Sequence, residues 1–373
     1  MAAPPPPVDA VLVQNPPSAP LLLAAWIFCR TRPIFLRRPR PGLVVDWHNL
    51  GYTMFDSLSD GHPVRCLARL YERSMAPLAD GHLTVTSAMK DWLARNFGVP
   101  SGDGKCAVLR DRPPDFFRPS TVEERHVLMR KLGPEFGGEG GSARLRPDRP
   151  ALVVSSTSWT PDEDFGLLLD ACVDLDRMAR RRNEPVDFGS GPDRTAGPFP
   201  RVMVVVTGKG PQKAMYQDKI SRLDLTYVSV HTLWLEPGDY PLLLGCADLG
   251  VSLHSSTSGL DLPMKVLDMF GCGVPVCALD FGCLDELVED GTNGRVFRTA
   301  PELASQMFGL LGTINEEGAD RSEGELSKLS AGVKNGLQTR WGENWDRNAR
   351  DVILGVCPGE ARDGPGIGNR PCD

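Results

Sequence analysis

At 373 residues, with 41% hydrophobic and 24% charged side chains, the chain has the makeup of a globular protein of about two domains. Its net charge of −7 argues against general nucleic-acid binding, because phosphate affinity depends on clustered Lys and Arg. The ten cysteines sit mostly in apolar runs, as at Cys172, Cys246, Cys272 and Cys277, which points to reduced core thiols; Cys272, Cys277 and Cys283 lack Cys-x2-Cys spacing and a following His, which argues against metal.

In chain order, Met1-Ala2-Ala3-Pro4 lacks the basic segment and apolar stretch of a secretory signal. Ala10 to Val13 predicts a short strand stopped by Asn15-Pro16-Pro17, and Leu21 to Cys29 an apolar helix. That helix is shorter than the roughly 20 residues needed to cross a bilayer. Arg30, Arg32, Arg37, Arg38 and Arg40 follow it. The combination suits an anionic membrane surface as well as it suits a core helix with a solvated basic loop.

Strands at Leu43 to Asp46, Leu83 to Thr86 and Cys106 to Leu109 then alternate with helices at Val64 to Met75 and Ala88 to Phe97, which implies a parallel sheet. Gly133 to Pro150 sustains neither period and reads as a flexible insertion. A second alternation follows. Strands are expected at Ala151 to Ser155, Val202 to Thr207, Tyr227 to Val230, Leu249 to Leu253 and Val274 to Leu279. Helices are expected at Phe165 to Arg180, Lys213 to Ile220, Tyr240 to Cys246, Leu284 to Val288 and Pro301 to Leu311, with a Pro/Gly insertion at Glu184 to Pro200.

The predicted fold class is therefore α/β with two Rossmann-like, doubly wound domains. Residues 1–132 form a partial first domain, 133–150 a linker, 151–339 the second domain, 340–356 a closing helix packed back across both, and 357–373 a disordered tail. The first half holds about four strands against about six in the second, and it opens on what reads as an interior strand. Its first strands are expected to be missing from the chain.

The most informative segment is Gly259 to Val276, a polar loop running into a short helix, a Gly turn and a buried strand. It offers Asp261, Lys265 and Asp268 at the mouth of a parallel sheet, where nucleotide sugars bind. Lys265 suits a diphosphate, Asp268 ribose hydroxyls and Asp261 the sugar; the alternative is an exposed i,i+3 pair of Lys265 with Asp268. Thr207-Gly208-Lys209-Gly210-Pro211 is a strand-to-helix turn at which backbone can approach a ligand, although a plain turn has the same pattern. The hydroxyl run Ser155-Ser156-Thr157-Ser158-Trp159-Thr160 precedes Asp162, Glu163 and Asp164; it suits phosphate or simple helix capping. Asp46-Trp47-His48-Asn49, at a strand tip, supplies candidate bases in His48 and Asp46, with a structural role as the alternative.

Five motifs, in order, carry a family resemblance: Val45-Asp46-Trp47-His48-Asn49-Leu50-Gly51-Tyr52, Ser155 to Thr160, Val206 to Pro211, Trp234-Leu235-Glu236 and Ser258 to Lys265. From about Val11 to Leu354 the chain resembles the chitobiosyldiphosphodolichol beta-mannosyltransferases. The resemblance implies a GT-B glycosyltransferase whose acceptor-side and donor-side domains face a cleft. It implies inverting transfer of mannose from GDP-mannose to GlcNAc2-diphosphodolichol, forming a beta-1,4 linkage at the first mannosylation of the N-glycan precursor. It also implies work at the cytosolic face of the endoplasmic reticulum membrane, no metal or other cofactor, and other N-glycan assembly transferases as partners. His48 or Asp46 then takes the base's place, and Ser156, Thr157, Gly208, Lys209, Asp261, Lys265 and Asp268 that of donor binding.

Three departures stand beside it. Full-length members begin with a spanning helix and further acceptor-domain strands with a Gly-containing loop. The basic residue usual after the first donor-domain strand is replaced by Asp162 to Asp164, and the usual pair of glutamates appears only as Asp268, with Leu260 upstream and Asp261 beside it. The alternative reading is a catalytically inactive, truncated isoform that binds nucleotide sugar or partner glycosyltransferases.

Overall fold

The structure, a computed structural model, describes residues 8–36, 39–55, 57–59, 61–102, 104–136, 149–160, 163–184, 197–312, 324–336, 339 and 341–358. The chain packs as two units, Met1–Arg110 with Gly342–Asp373, and Asp111–Trp341.

The first unit runs β1 (Ala10–Asn15), α1 (Leu21–Leu36), β2 (Gly42–Trp47), α2 (Pro63–Met75), β3 (Gly81–Thr84), α3 (Ser87–Phe97) and β4 (Cys106–Val108). Its four strands are parallel and lie in sequence order. Right-handed crossovers between successive neighbours put α1, α2 and α3 on one face of the sheet. β2 and β3 are almost wholly buried, which is why they read as continuous apolar runs.

The second unit contains α4 (Val122–Leu132), β5 (Ala151–Ser156), α5 (Phe165–Asn183), β6 (Val202–Thr207), α6 (Lys213–Ser221), β7 (Val228–Leu233), α7 (Asp239–Cys246) and β8 (Leu249–Ser252). It continues with α8 (Met264–Gly271), β9 (Val276–Leu279), β10 (Gly294–Phe297), α9 (Ala300–Leu311) and α10 (Glu325–Gly336). Its six parallel strands lie in the order β10-β9-β8-β5-β6-β7. All strands point the same way, but the order in which the chain adds them reverses between β5 and β8, and in such sheets ligands bind outside the strand tips at that switch point. One core lies under α5 and α9, the other under α4, α7 and α8.

The same device closes the lower edge of both sheets. Asp80 exchanges bonds with Leu43, donating its N–H at 2.8 Å and accepting at 2.9 Å, and it pairs with Arg40. Asp248 does the same with Leu152, both at 2.8 Å, and takes two bonds from Arg149. A third carboxylate, Asp176 of α5, accepts the N–H groups of Thr226, Tyr227 and Val228 at the start of β7. Burial pushes Asp80 and Asp176 up, but the arginine and N–H donors outweigh it and hold both below the ordinary carboxylate range.

Several expectations are corrected. The first unit ends at Arg110 rather than at 132, because α4 belongs with the second: Leu128 and Met129 enter its core, and Arg125 donates to the Cys246 carbonyl at 2.6 Å. The signal for α4 was present as a capping box of Thr121 and Glu124. Leu284 to Val288 is only a 3-10 turn at Leu284–Glu286, and β10 and α10 were not anticipated. The closing helix is two helices, α11 (Trp341–Asn348) and α12 (Arg350–Leu354), and the described residues 342–358 pack with the first unit. Val352 joins the core of Val44 and Leu83, and Gly42 leaves the room that Val356 occupies. α1 runs on to Leu36, beyond the expected end at Cys29. Most of the insertions at 133–150 and 184–200, and nearly all of the tail, lie outside the described residues.

The two edge devices differ in exposure, and a stability measurement should separate them. Asp248→Asn leaves Arg149 buried without its counter-charge and should cost roughly 2–3 kcal/mol in urea unfolding. Asp80→Asn, whose Arg40 is more exposed, should cost less, about 1 kcal/mol. Equal losses would show that burial does not set their worth.

Candidate active site

The tips of β5 and β8 flank the switch point of the second unit. Beyond β5, residues Thr157 to Thr160 form a loop pressed against the turn after β6. A Cβ at Gly208, where φ is 138°, would lie 1.8 Å from the Thr157 carbonyl oxygen, and one at Gly210 would lie 1.9 Å from that of Ser158. The glycines are therefore required by loop-against-loop packing, and the backbone they approach is the protein's own. Trp159 adopts a φ of 51°, and its fully buried ring packs against Phe165 and Tyr216.

Glu163, named in the sequence only as one of three acids before a helix, is the centre of this loop. Its carboxylate accepts the Thr157 hydroxyl at 2.7 Å, the Ser158 N–H and the Lys265 ammonium. Burial would raise Glu163, yet Lys265, Ser158 and Thr157 together hold it below the usual range. Thr157 is buried and its oxygen also accepts the Trp159 N–H at 3.1 Å, so this hydroxyl builds the loop. Lys265 is the second residue of α8, where free amides and the helix dipole favour an anion, and its ammonium also reaches Ser158 Oγ at 3.4 Å. The acid in place of the usual basic residue thus carries its own partner across the switch point.

Asp268 lies one turn further along α8, half-buried, and its carboxylate accepts no hydrogen bond among the described residues. Burial pushes its carboxyl up to about 7. Its charge bears on Tyr240, whose hydroxyl is 3.0 Å from Ser156 Oγ; Thr207 donates to the same Ser156 oxygen at 3.2 Å. Tyr240, which the sequence reading passed over, thus bonds the β5 tip within reach of the Asp268 charge. No spacing rule links it to Ser156.

Asp261 is turned toward its own loop. Oδ1 accepts from Ser256 and, at 3.3 Å, from Ser258, while Oδ2 lies 3.6 Å from His254 Nε2. Burial raises its carboxyl, but His254 and Ser256 bring it below the ordinary range. Lys209 stands over the exposed Trp234 ring, with Nζ 3.7 Å from the centroid.

In the first unit Asp46 and His48 meet: Nδ1 of His48 is 3.6 Å from Oδ1 of Asp46. His48 is the more open of the two, 32% exposed against 17%. Their loop is held from below by residues that pattern reading missed. Asn15 at the tip of β1 accepts the His48 N–H at 2.9 Å and donates to the Asn49 carbonyl at 3.0 Å. Glu72 of α2, fully buried, accepts from Asn15, Ser18, Gly51 and Tyr52. A charged residue on the inward side of an otherwise ordinary helix was the available signal.

Comparison with known proteins gives the family and the fold. The sequence model of the family described as Glycosyl transferases group 1 matches residues 194–313, within the second unit. The chain is 42% identical to UDP-glycosyltransferase TURAN of Arabidopsis thaliana, over 93% of its own length and 77% of the relative's. It is 38% identical to the chitobiosyldiphosphodolichol beta-mannosyltransferase of Mus musculus, over 93% of this chain and 70% of that one. The solved structure of Anabaena HepE with UDP-glucose aligns with a TM-score of 0.57 at 17% identity, covering 92% of this chain and 77% of that chain, which establishes the GT-B glycosyltransferase fold. The chain belongs to the chitobiosyldiphosphodolichol beta-mannosyltransferase family of glycosyltransferases.

Proposed function

We propose that the chain transfers mannose from GDP-mannose to chitobiose carried on dolichyl diphosphate, forming a beta-1,4 bond, at the cytosolic face of the endoplasmic reticulum membrane. The observation that carries this reading is the 38% identity, over nine-tenths of the chain, to a protein of that name. The acceptor is a lipid, so the work is membrane-associated, although no described helix is long and apolar enough to cross a bilayer. Other transferases of the same assembly line are candidate partners.

In this reading Lys265 and the first amides of α8 receive the donor diphosphate, with Glu163 and Ser158 fixing the ammonium while leaving it a further N–H to offer. Asp268 accepts from the ribose hydroxyls, for which it must be ionised. Ser156 and the Gly208 turn shape the floor, Asp261 orders the sugar-side loop, and Lys209 can leave Trp234 for a phosphate. Inversion needs one displacement and one base. His48 takes the acceptor proton and Asp46 stabilises the resulting imidazolium. Dipoles and a lysine suffice for the leaving diphosphate, so no metal is required.

Lys265→Ala should weaken GDP binding, read by calorimetry, by about tenfold or more, since a charge-assisted contact contributes roughly 1.5–3 kcal/mol. Undiminished affinity would remove Lys265 from the diphosphate site. Because one relative's name carries UDP, the titration is run with both nucleotides; preference for UDP would overturn the GDP assignment.

His48→Ala should lower turnover of labelled mannose onto chitobiosyl lipid by roughly 10²-fold or more while GDP affinity is kept. Retained turnover would shift the base to Asp46. A parent chain that binds GDP but transfers nothing would support the inactive-binder alternative.

The raised carboxyl of Asp268 gives a pH test with opposite signs for binding and stability. Donor affinity should rise as pH passes upward through about 7, and Asp268→Asn should abolish that rise. Without ligand, the folded state holds a proton that the unfolded state releases near 4, so stability falls as pH climbs from about 4 to about 7. Asp268→Asn should therefore melt above the parent at pH about 8 and gain less at pH about 4.

A further inference from the structure

The outward sides of α1 and α2 are apolar where a solvated helix would be polar. On α1, Leu21, Leu23, Ile27 and Phe28 are all exposed, while Leu22, Ala25 and Cys29 on the opposite side are buried. On α2, whose inward contacts include Glu72, the residues Val64, Leu67 and Leu70 stand out at 47%, 67% and 59% exposure. The two helices share one face of the sheet, and the Leu23 N–H donates to the Tyr71 hydroxyl at 2.9 Å, so their outward sides are neighbours. A helix apolar on all sides belongs in a core or against lipid.

Charge identifies the occupant. In a chain of net charge −7, α1 and α2 carry Arg30, Arg32, Arg65, Arg69 and Arg73, and their one acid, Glu72, is fully buried. An apolar stripe flanked by arginines, without exposed carboxylates of its own, complements an anionic lipid surface. The basic run after α1 contributes less than its sequence suggests: Arg40 is paired with Asp80, Arg32 is buried under Phe28, and Arg37 and Arg38 lie outside the described residues. On α2, Arg69 and Arg73 are exposed, Arg69 over the Tyr52 ring, while Arg65 is half-buried and donates to the Leu58 carbonyl at 3.2 Å.

We infer that α1 and α2 together form a shallow docking face for an anionic bilayer, with the leucines of α2 entering the interface and the arginines engaging lipid phosphates. The choice of a bilayer over a second protein rests partly on the lipid-linked acceptor proposed above. Glu72 ties α2 to the loop that carries His48, so the same end of this unit would hold both the docking face and the candidate base.

The test uses the whole chain and a native reporter. Cys66, on α2 beside these leucines, is exposed, whereas the other described cysteines are buried except Cys357, which is half-buried and is replaced by Ser for the labelling. Labelled there with a polarity-sensitive fluorophore, the chain is mixed with phosphatidylcholine vesicles with and without phosphatidylserine. A blue shift and co-flotation with the anionic vesicles, weakened by salt, are expected. Leu67→Glu with Leu70→Glu should reduce flotation at least tenfold; both positions are exposed, so circular dichroism should be unchanged. Equal binding of parent and variant, or no binding by the parent, overturns the inference. So does a parent dimer that the variant dissociates, since the face would then belong to a second copy. GDP affinity is measured on the same samples: loss of GDP binding with flotation intact counts against the donor reading, and the reverse counts against this face.

Discussion

Each unit depends on a buried carboxylate that gathers the donors of a strand-tip loop. Glu72 collects Asn15, Ser18 and the Gly51 and Tyr52 amides; Glu163 collects Thr157, the Ser158 amide and Lys265. Loops at strand tips leave amides without sheet partners, and burying such groups unpaired would cost about 1–3 kcal/mol each. A carboxylate can accept several at once, which amides and hydroxyls cannot match. Removing either acid would therefore release a whole loop, and with it either the Asp46–His48 pair or the anchor of Lys265.

The legibility of the chain follows from the range of each interaction. β2, β3, β5 and β6 were readable because buried parallel strands are apolar along their length, and α3 because Thr86 caps it and Gly98 ends it in a left-handed turn. Lys265 and Asp268 were readable as ligand candidates because they occupy one helix following a strand tip. What escaped depends on partners far apart in sequence. Glu163 and Lys265 are separated by 102 residues, and Glu72 reaches Asn15 across 57. β10 has only four residues, and its place is set by pairing with β9, so nothing local distinguishes it.

The glycines illustrate how a pattern can have a second reason that only the fold supplies. The sequence marks Gly208 as a place where backbone can approach a ligand, and the close approach the fold shows there is to the Thr157 carbonyl. A pattern of glycines reports that something comes near; only the fold says what. The arginines after α1 behave alike. As a run they suggest a membrane patch, but Arg40 is committed to Asp80 in an edge device repeated by Arg149 and Asp248 in the second unit. That repetition is sheet architecture, with each arginine three residues before the Leu whose amide the same carboxylate accepts.

Against this background Asp268 stands out by contrast. Glu72, Asp80, Glu163, Asp176, Asp248 and Asp261 are each turned to donors within the protein, and for Asp80, Glu163, Asp176 and Asp261 those donors outweigh the effect of burial. Asp268 is desolvated to a similar degree, has no such donors among the described residues, and is pushed the other way. A carboxylate in that position weakens the unliganded fold, and a neutral side chain would be easier to accommodate. The cost is reversed only when donors arrive from outside, and vicinal hydroxyls supply two of them to one carboxylate. In the proposed donor site, its location at the switch point, one turn beyond Lys265, is where a nucleotide would bring them.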